Sequence, residues 1–105
     1  SHAEPVIHIL CAYQSLETEY DQNKAKSNLR KHDVSFAEAA TALLDPNALA
    51  MEDSDSEDEA RWILLGMSDR VRLLTVIYTL RGQRIRLISA RRSSPGEAKT
   101  YAEGL

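Results

Sequence analysis

Between Arg61 and Ala90 the chain reads as three successive strands, joined by turns too short for anything but hairpins. Arg61–Met67 alternates around Trp62 and Leu64 on one side and Ile63 and Leu65 on the other. Ser68-Asp69-Arg70 follows as a turn. Leu73–Thr79 is rich in β-branched and aromatic residues, which suit a pleated, half-buried surface. Arg81-Gly82 predicts the next turn. Arg84–Ala90 sets Arg84, Arg86 and Ile88 on one face and Ile85 and Leu87 on the other. A parallel neighbour needs a crossover of a dozen or more residues, so these strands must run antiparallel.

Helical patterns flank the strands. Asp21 is placed to cap a helix over about Gln22–His32, and Asp33 breaks it. Ser35 with Glu38 three residues on is a capping-box pattern. Phe36, Ala39, Ala40, Leu43 and Leu44 then form an apolar stripe at helical spacing, stopped by Asp45-Pro46-Asn47. Ala48–Met51 is compatible with a short strand but is not counted in the order below, and a strand is expected in front of the helices, near Thr18–Tyr20. Ser94-Pro95-Gly96-Glu97 combines an N-cap, a proline at the first helical position and a glutamate at the third. It opens a helix through about Glu103, closed by Gly104. The expected fold class is α+β: a small antiparallel β-sheet packed by helices on one face, in β-α-α-β-β-β-α order.

With 105 residues the chain is one domain's worth. Residues 17–105 are expected to form it. Residues 1–16 fit the rest poorly and are expected to be an N-terminal extension or tag, with Ser1-His2 as a vestige of cloning. Val6–Tyr13 is apolar but short and has no basic segment before it, so an extra strand or a disordered tail suits it better than a signal peptide. Cys11 is the single cysteine, which excludes an intramolecular disulfide and cysteine-rich zinc sites and points to a reducing, cytoplasmic setting. No apolar run approaches the ~20 residues of a membrane-spanning helix. One Trp, one Phe and four Tyr leave aliphatic packing to carry the core.

The net charge of −3 conceals a division. Residues 1–59 carry a net −9, residues 60–92 a net +7, and residues 93–105 a net −1. All eight bases of the middle block are arginines, whose planar forks match phosphate and carboxylate oxygens. A basic block on an acidic chain suggests an anionic partner. On composition alone, arginines decorating solvent-facing strand positions are the simpler reading. Glu52–Glu59 holds six acids in eight residues and reads as a solvated loop, lacking the glycine and ligand spacing of a calcium loop.

The chemistry-bearing motifs are few. There is no phosphate-cradling glycine loop and no Gly-x-Ser-x-Gly elbow. His2, His8 and His32 have no metal-ligand spacing, so no metal and no cofactor are expected. What remains is a basic ensemble: Lys24, Lys31 and His32 on the first helix, Arg61 at a strand start, and Arg84, Arg86 and Arg91 on the last strand. Gathered on one side of a sheet, such a set could bind RNA phosphates. It could also cleave RNA without metal, with arginine stabilising the phosphorane and His32 or a lysine moving protons. Each of these bases is also a natural surface residue. Trp62 and Tyr78 read as core, and Ser89 as a strand neighbour rather than a nucleophile.

Glu19-Tyr20-Asp21-Gln22-Asn23-Lys24, Asn28-Leu29-Arg30-Lys31-His32 and Val34-Ser35-Phe36 with Glu38-Ala39 resemble the opening of the BrnT toxin family. Later segments follow in order: Asp45-Pro46, an acidic loop, Glu59-Ala60-Arg61-Trp62, Leu65-Gly66, a strand ending near Tyr78-Thr79, and Arg86-Leu87-Ile88-Ser89-Ala90-Arg91. The resemblance spans roughly residues 17–104. It implies a RelE-like fold and the toxin of a type II toxin–antitoxin system, an endoribonuclease that arrests translation. It also implies a ribbon-helix-helix antitoxin (BrnA-like), RNA as substrate, operator DNA reached only through the antitoxin, and no membrane. By position it marks Lys31, His32, Glu59, Arg61, Arg86 and Arg91 as candidate catalytic residues, with Lys24, Arg30 and Arg84 as RNA-binding. The family carries glycine after Lys-His, where this chain has Asp33. That position implies a left-handed helix end, and Asp33 would set a carboxylate beside a cationic site. The alternatives are a catalytically weakened toxin-like domain that acts as a co-repressor with its antitoxin, and a plain nucleic-acid-binding domain.

Overall fold

The structure, a computed structural model, describes residues 4–5, 17–53 and 59–104. Among these the strands are β1 (Glu4–Pro5), β2 (Glu17–Glu19), β3 (Leu49–Glu52), β4 (Trp62–Met67), β5 (Leu73–Arg81) and β6 (Arg84–Arg92). The helices are α1 (Gln22–His32), α2 (Phe36–Ala42) and α3 (Pro95–Glu103). The strands form one sheet in the order β1-β3-β4-β5-β6-β2. The α+β class is as expected, and the three central hairpin-linked strands are antiparallel. Two details differ. β2 joins the edge of β6 in parallel, making the sheet mixed. β1, at Glu4–Pro5, adds antiparallel to β3 at the other edge. The extra strand or tail expected at Val6–Tyr13 lies outside the described residues. His2, His8, Cys11 and most of the acidic loop lie outside the described residues.

Each helix begins where its cap predicts. The Asp21 carboxylate accepts the N–H groups of Asn23 (2.7 Å) and Lys24 (3.3 Å). Ser35 Oγ accepts the Glu38 N–H at 3.0 Å. The capping box there is only half formed, because the Glu38 side chain turns inward to Arg72 and Ser68. In α3 the box closes on both sides, Ser94 Oγ with the Glu97 N–H and Glu97 Oε1 with the Ser94 N–H.

The core lies between one sheet face and the first two helices. Leu64, Leu74, Val76, Tyr78, Ile85, Leu87 and Ala90 face Val34, Phe36, Ala39, Ala42 and Leu43, all buried. Tyr20 packs edge-on against Phe36, with ring centroids 5.1 Å apart, and so fastens the end of β2 to the core. At Gly66 an added Cβ would lie 2.5 Å from the Ala42 carbonyl oxygen, so only glycine lets α2 pass this close. The helices do not all lie on one face. Thr75 and Arg91 alternate with the core-facing residues, and both are held by Glu97 of α3, on the other side of the sheet.

A bulge in β6 decides which arginines share that outer face. Ile77 pairs with Ser89 while Tyr78 pairs with Leu87, leaving Ile88 as the extra residue. Burial therefore changes phase, from Ile85 and Leu87 before the bulge to Ala90 after it. Arg91 is brought to the same face as Arg84 and Arg86. Strict alternation would have turned it into the core.

Candidate functional site

Helix α1 is fixed to the edge of β6 by one buried side chain. Asn28 Oδ1 accepts the Ala90 N–H at 3.0 Å, and its Nδ2 donates to the Ala90 carbonyl at 2.8 Å and the Val34 carbonyl at 2.9 Å. The carboxamide stands in for a neighbouring strand beyond the last residue that β2 pairs. Lys24, Ser27, Asn28 and Lys31 fall at i, i+3, i+4 and i+7, one face of α1. With His32, Ile88 and Ser89 they line an open pocket of about 200 Å³. Three predicted residues, Lys24, Lys31 and His32, thus converge. No carboxylate lines the pocket, and the three bases have no ion-pair partner among the described residues. Arg30 is exposed, lies off this helical face and does not line the pocket.

The strand arginines are placed differently. Thr79 pairs with Arg86 in the sheet register, and Trp62 pairs with Tyr78. Continuing by one residue sets Arg61 on the far side of Thr79, about 10 Å from Arg86 across two strand spacings. Thr79 Oγ1 donates to the Ala60 carbonyl at 2.6 Å, which holds this row together. Arg61 is exposed and has no side-chain partner among the described residues. Glu59 is occupied by Arg81 at 3.2 Å. Arg86 Nη1 donates to Glu19 Oε2 at 2.8 Å, and Arg84 Nη1 lies 3.5 Å from Glu19 Oε1 and its Nη2 3.7 Å from Glu17. The hydrogen bond from Arg86 holds the Glu19 carboxyl below its usual range.

Arg91 is further off, beside Thr75, about 14 Å along β5 from the Arg86 row. Its Nη1 and Nη2 donate to the two oxygens of Glu97 at 2.7 and 2.8 Å. Glu97 also accepts from the Ser94 N–H and Thr75 Oγ1. Led by the Arg91 hydrogen bonds, these partners pull the Glu97 carboxyl down to about 2. The predicted residues therefore form a groove on α1, a row across β4–β6 and a locked corner at α3.

Asp33 takes the left-handed conformation that its position implies, φ 57° and ψ 35°. Its carboxylate is 83% exposed and turns to Arg92 (3.5 Å) and Arg72 (3.8 Å), neither of which was a predicted site residue. It does not line the groove of Lys31 and His32. Sequence reasoning gave no role to Arg72, whose Nε donates to buried Glu38 at 2.9 Å and whose Nη2 donates to the same carboxylate and to the Asp33 carbonyl. Ser27 also lay unremarked, and Asn28 was quoted only as part of the family motif and given no role, although both share the helical face of Lys24 and Lys31. Among the described residues no group of three His, Cys, Asp or Glu could hold a metal ion. No described helix is long and apolar enough to cross a membrane.

These features define a small α+β protein whose sheet edge carries an open basic groove that no carboxylate lines. The family described as "Ribonuclease toxin, BrnT, of type II toxin-antitoxin system" matches residues 20–97, and the chain belongs to it. It is thus of the toxin side of type II toxin–antitoxin systems, a class that pairs with an antitoxin. Among solved structures it is similar to the Brucella abortus ribonuclease toxin BrnT, with a TM-score of 0.58 and 23% identity over 76% of this chain and 99% of that one. At that identity the likeness speaks for the fold. No curated protein sequence matches.

Proposed function

We propose that this toxin is a metal-independent endoribonuclease that cleaves RNA in the α1–β6 groove and so arrests translation. A ribbon-helix-helix antitoxin neutralises it and carries the complex to operator DNA. The observation that carries the reading is the convergence of Lys24, Lys31 and His32, without an acid, on one open pocket. Cleavage through the ribose 2′-hydroxyl needs a proton acceptor, a stabiliser for the charge on phosphorus and a proton donor. Histidine is the side chain that changes charge nearest neutral pH, so His32 takes the proton transfers. Lys31 supplies the positive charge and Lys24 holds a neighbouring phosphate. Arg61 and Arg86 extend the track over the strands.

Inducible expression in a bacterial host, with and without the adjacent small gene, tests this. Growth arrest with RNA breakdown, relieved by the neighbour and lost in Lys31→Ala and His32→Ala, is the expected result. Breakdown that survives both substitutions places the chemistry elsewhere. The ion pairs at Arg86 and Arg91 favour a second reading, a weakened toxin that acts through its antitoxin. Normal growth with intact RNA and tight antitoxin binding would support it.

A further inference from the structure

Arg84 and Arg86 stand two residues apart on one face of β6, which sets their Cα atoms about 7 Å apart. Between them sits the Glu19 carboxylate, one oxygen toward each guanidinium, with Glu17 on the far nitrogen of Arg84. Two forks around two oxygens is the arrangement by which arginines grip a phosphate. Here the anion is the protein's own. Its placement is built in: the register sets Glu19 opposite Arg86 and Glu17 opposite Arg84. Tyr20, the next residue, is anchored on Phe36, so the plug cannot drift from the clamp.

We propose that Arg84 and Arg86 form a phosphate clamp kept closed by Glu17 and Glu19, an internal competitor that an incoming RNA backbone must displace. The clamp adjoins the groove, since Ile88 lines the groove and lies two residues beyond Arg86. The RNA part of this inference rests on the function proposed above. The competition itself does not. β2 thereby sets a threshold: the groove alone attracts an anionic strand, and a strand long enough to reach β6 must exchange with Glu19.

The test measures two ligands, a 12-nucleotide single-stranded RNA and inorganic pyrophosphate, against the wild type, Glu19→Gln and Glu17→Gln/Glu19→Gln. Glu103→Gln on α3 controls for the mere loss of a negative charge. Pyrophosphate binding is followed by NMR at the Arg86 side-chain Nε–H. Opening a half-buried pair of this kind should tighten both ligands about three- to five-fold for Glu19→Gln. The control should change neither, and the gain should vanish when Arg86→Ala is added. An equal gain in the control, or one that survives Arg86→Ala, overturns the clamp. So does the absence of any gain. A gain with pyrophosphate but no RNA binding by any variant keeps the clamp and defeats the RNA reading. RNA binding with no response to Glu19→Gln does the reverse.

Discussion

Asn28 and Ala90 hydrogen-bond to each other in both directions, Ala90 N–H to Oδ1 at 3.0 Å and Nδ2 to the Ala90 carbonyl at 2.8 Å. One carboxamide thus closes an open strand edge and carries α1 onto β6. It also fixes the groove, because Lys24 and Lys31 lie one helical turn to either side of Asn28.

Replacing Asn28 by alanine strands the Ala90 N–H and two carbonyl oxygens in a buried place. Three lost bonds with incomplete rehydration should cost about 2–4 kcal/mol. Urea denaturation followed by circular dichroism measures this. RNA affinity should fall as well, under conditions where the variant is still folded. A loss under ~1 kcal/mol would mean that water reaches the edge and that α1 is held mainly by its apolar contacts.

Glu97 gives stability a defined pH window. The hydrogen bonds from Arg91 pull its carboxyl down to about 2 in the folded chain, from the 4.5 of a free glutamate, so the unfolded state binds its proton first on acidification. The contribution is fully present above pH 4.5 and is lost as pH falls toward 2. Glu38, lowered first by the hydrogen bond from Arg72, acts in the same direction. With solvent screening, Glu97 should account for about 1–2 kcal/mol of the acid limb. Melting temperatures taken from pH 6 to pH 2 should show a shallower decline for Glu97→Gln. An unchanged slope would assign the acid limb to other carboxylates.

Among the described residues two non-glycine positions hold positive φ, Asp33 at 57° and Val71 at 60°. A β-branched residue suffers most there, and Val71 is 79% exposed, with little packing to lose. Val71→Gly should therefore stabilise the fold by about 1 kcal/mol. Asp33→Gly should gain less, about 0.5 kcal/mol, because aspartate tolerates this conformation and the change gives up exposed pairs with Arg72 and Arg92. Thermal unfolding separates the two. RNA cleavage should be unaltered in Asp33→Gly, since its carboxylate faces away from the groove.

Local signals made the helices and the hairpins legible. Asp21, Ser35 and Ser94 each satisfy N–H groups two or three residues away, so their caps are written in short windows. The parallel pairing of β2 was not legible, because Glu17–Glu19 carries no alternation and its partner lies 67 residues on. Glu38 misled for a related reason: a capping box competes with any stronger partner, and Arg72 arrives from 34 residues away. The bulge did leave a trace. Leu87-Ile88 are two apolar residues in succession inside an otherwise alternating strand, the mark of a phase change. Reading that pair as a bulge would have put Arg91 on the outer face. Its capture by Glu97 depends on how α3 docks, which no local pattern encodes.

The contrast between the groove and the locked corner can be read in the salt dependence of binding. Each phosphate neutralised on a single strand contributes about −0.7 to the slope of log K against log salt concentration. Lys24 and Lys31 stand about 10 Å apart along α1 and have no carboxylate to compensate them, so each can take its own phosphate. Arg91 already satisfies both oxygens of Glu97, and binding RNA there would break a bidentate pair for no net gain of charge. Lys24→Ala and Lys31→Ala should therefore each flatten the slope by about 0.7, and together by about 1.4. Arg91→Ala should leave the slope unchanged while lowering the melting temperature. Fluorescence anisotropy with a labelled single-stranded RNA from 50 to 200 mM salt distinguishes these outcomes. A slope that falls in Arg91→Ala and holds in Lys31→Ala would move the RNA path from the edge of β6 to the α3 corner.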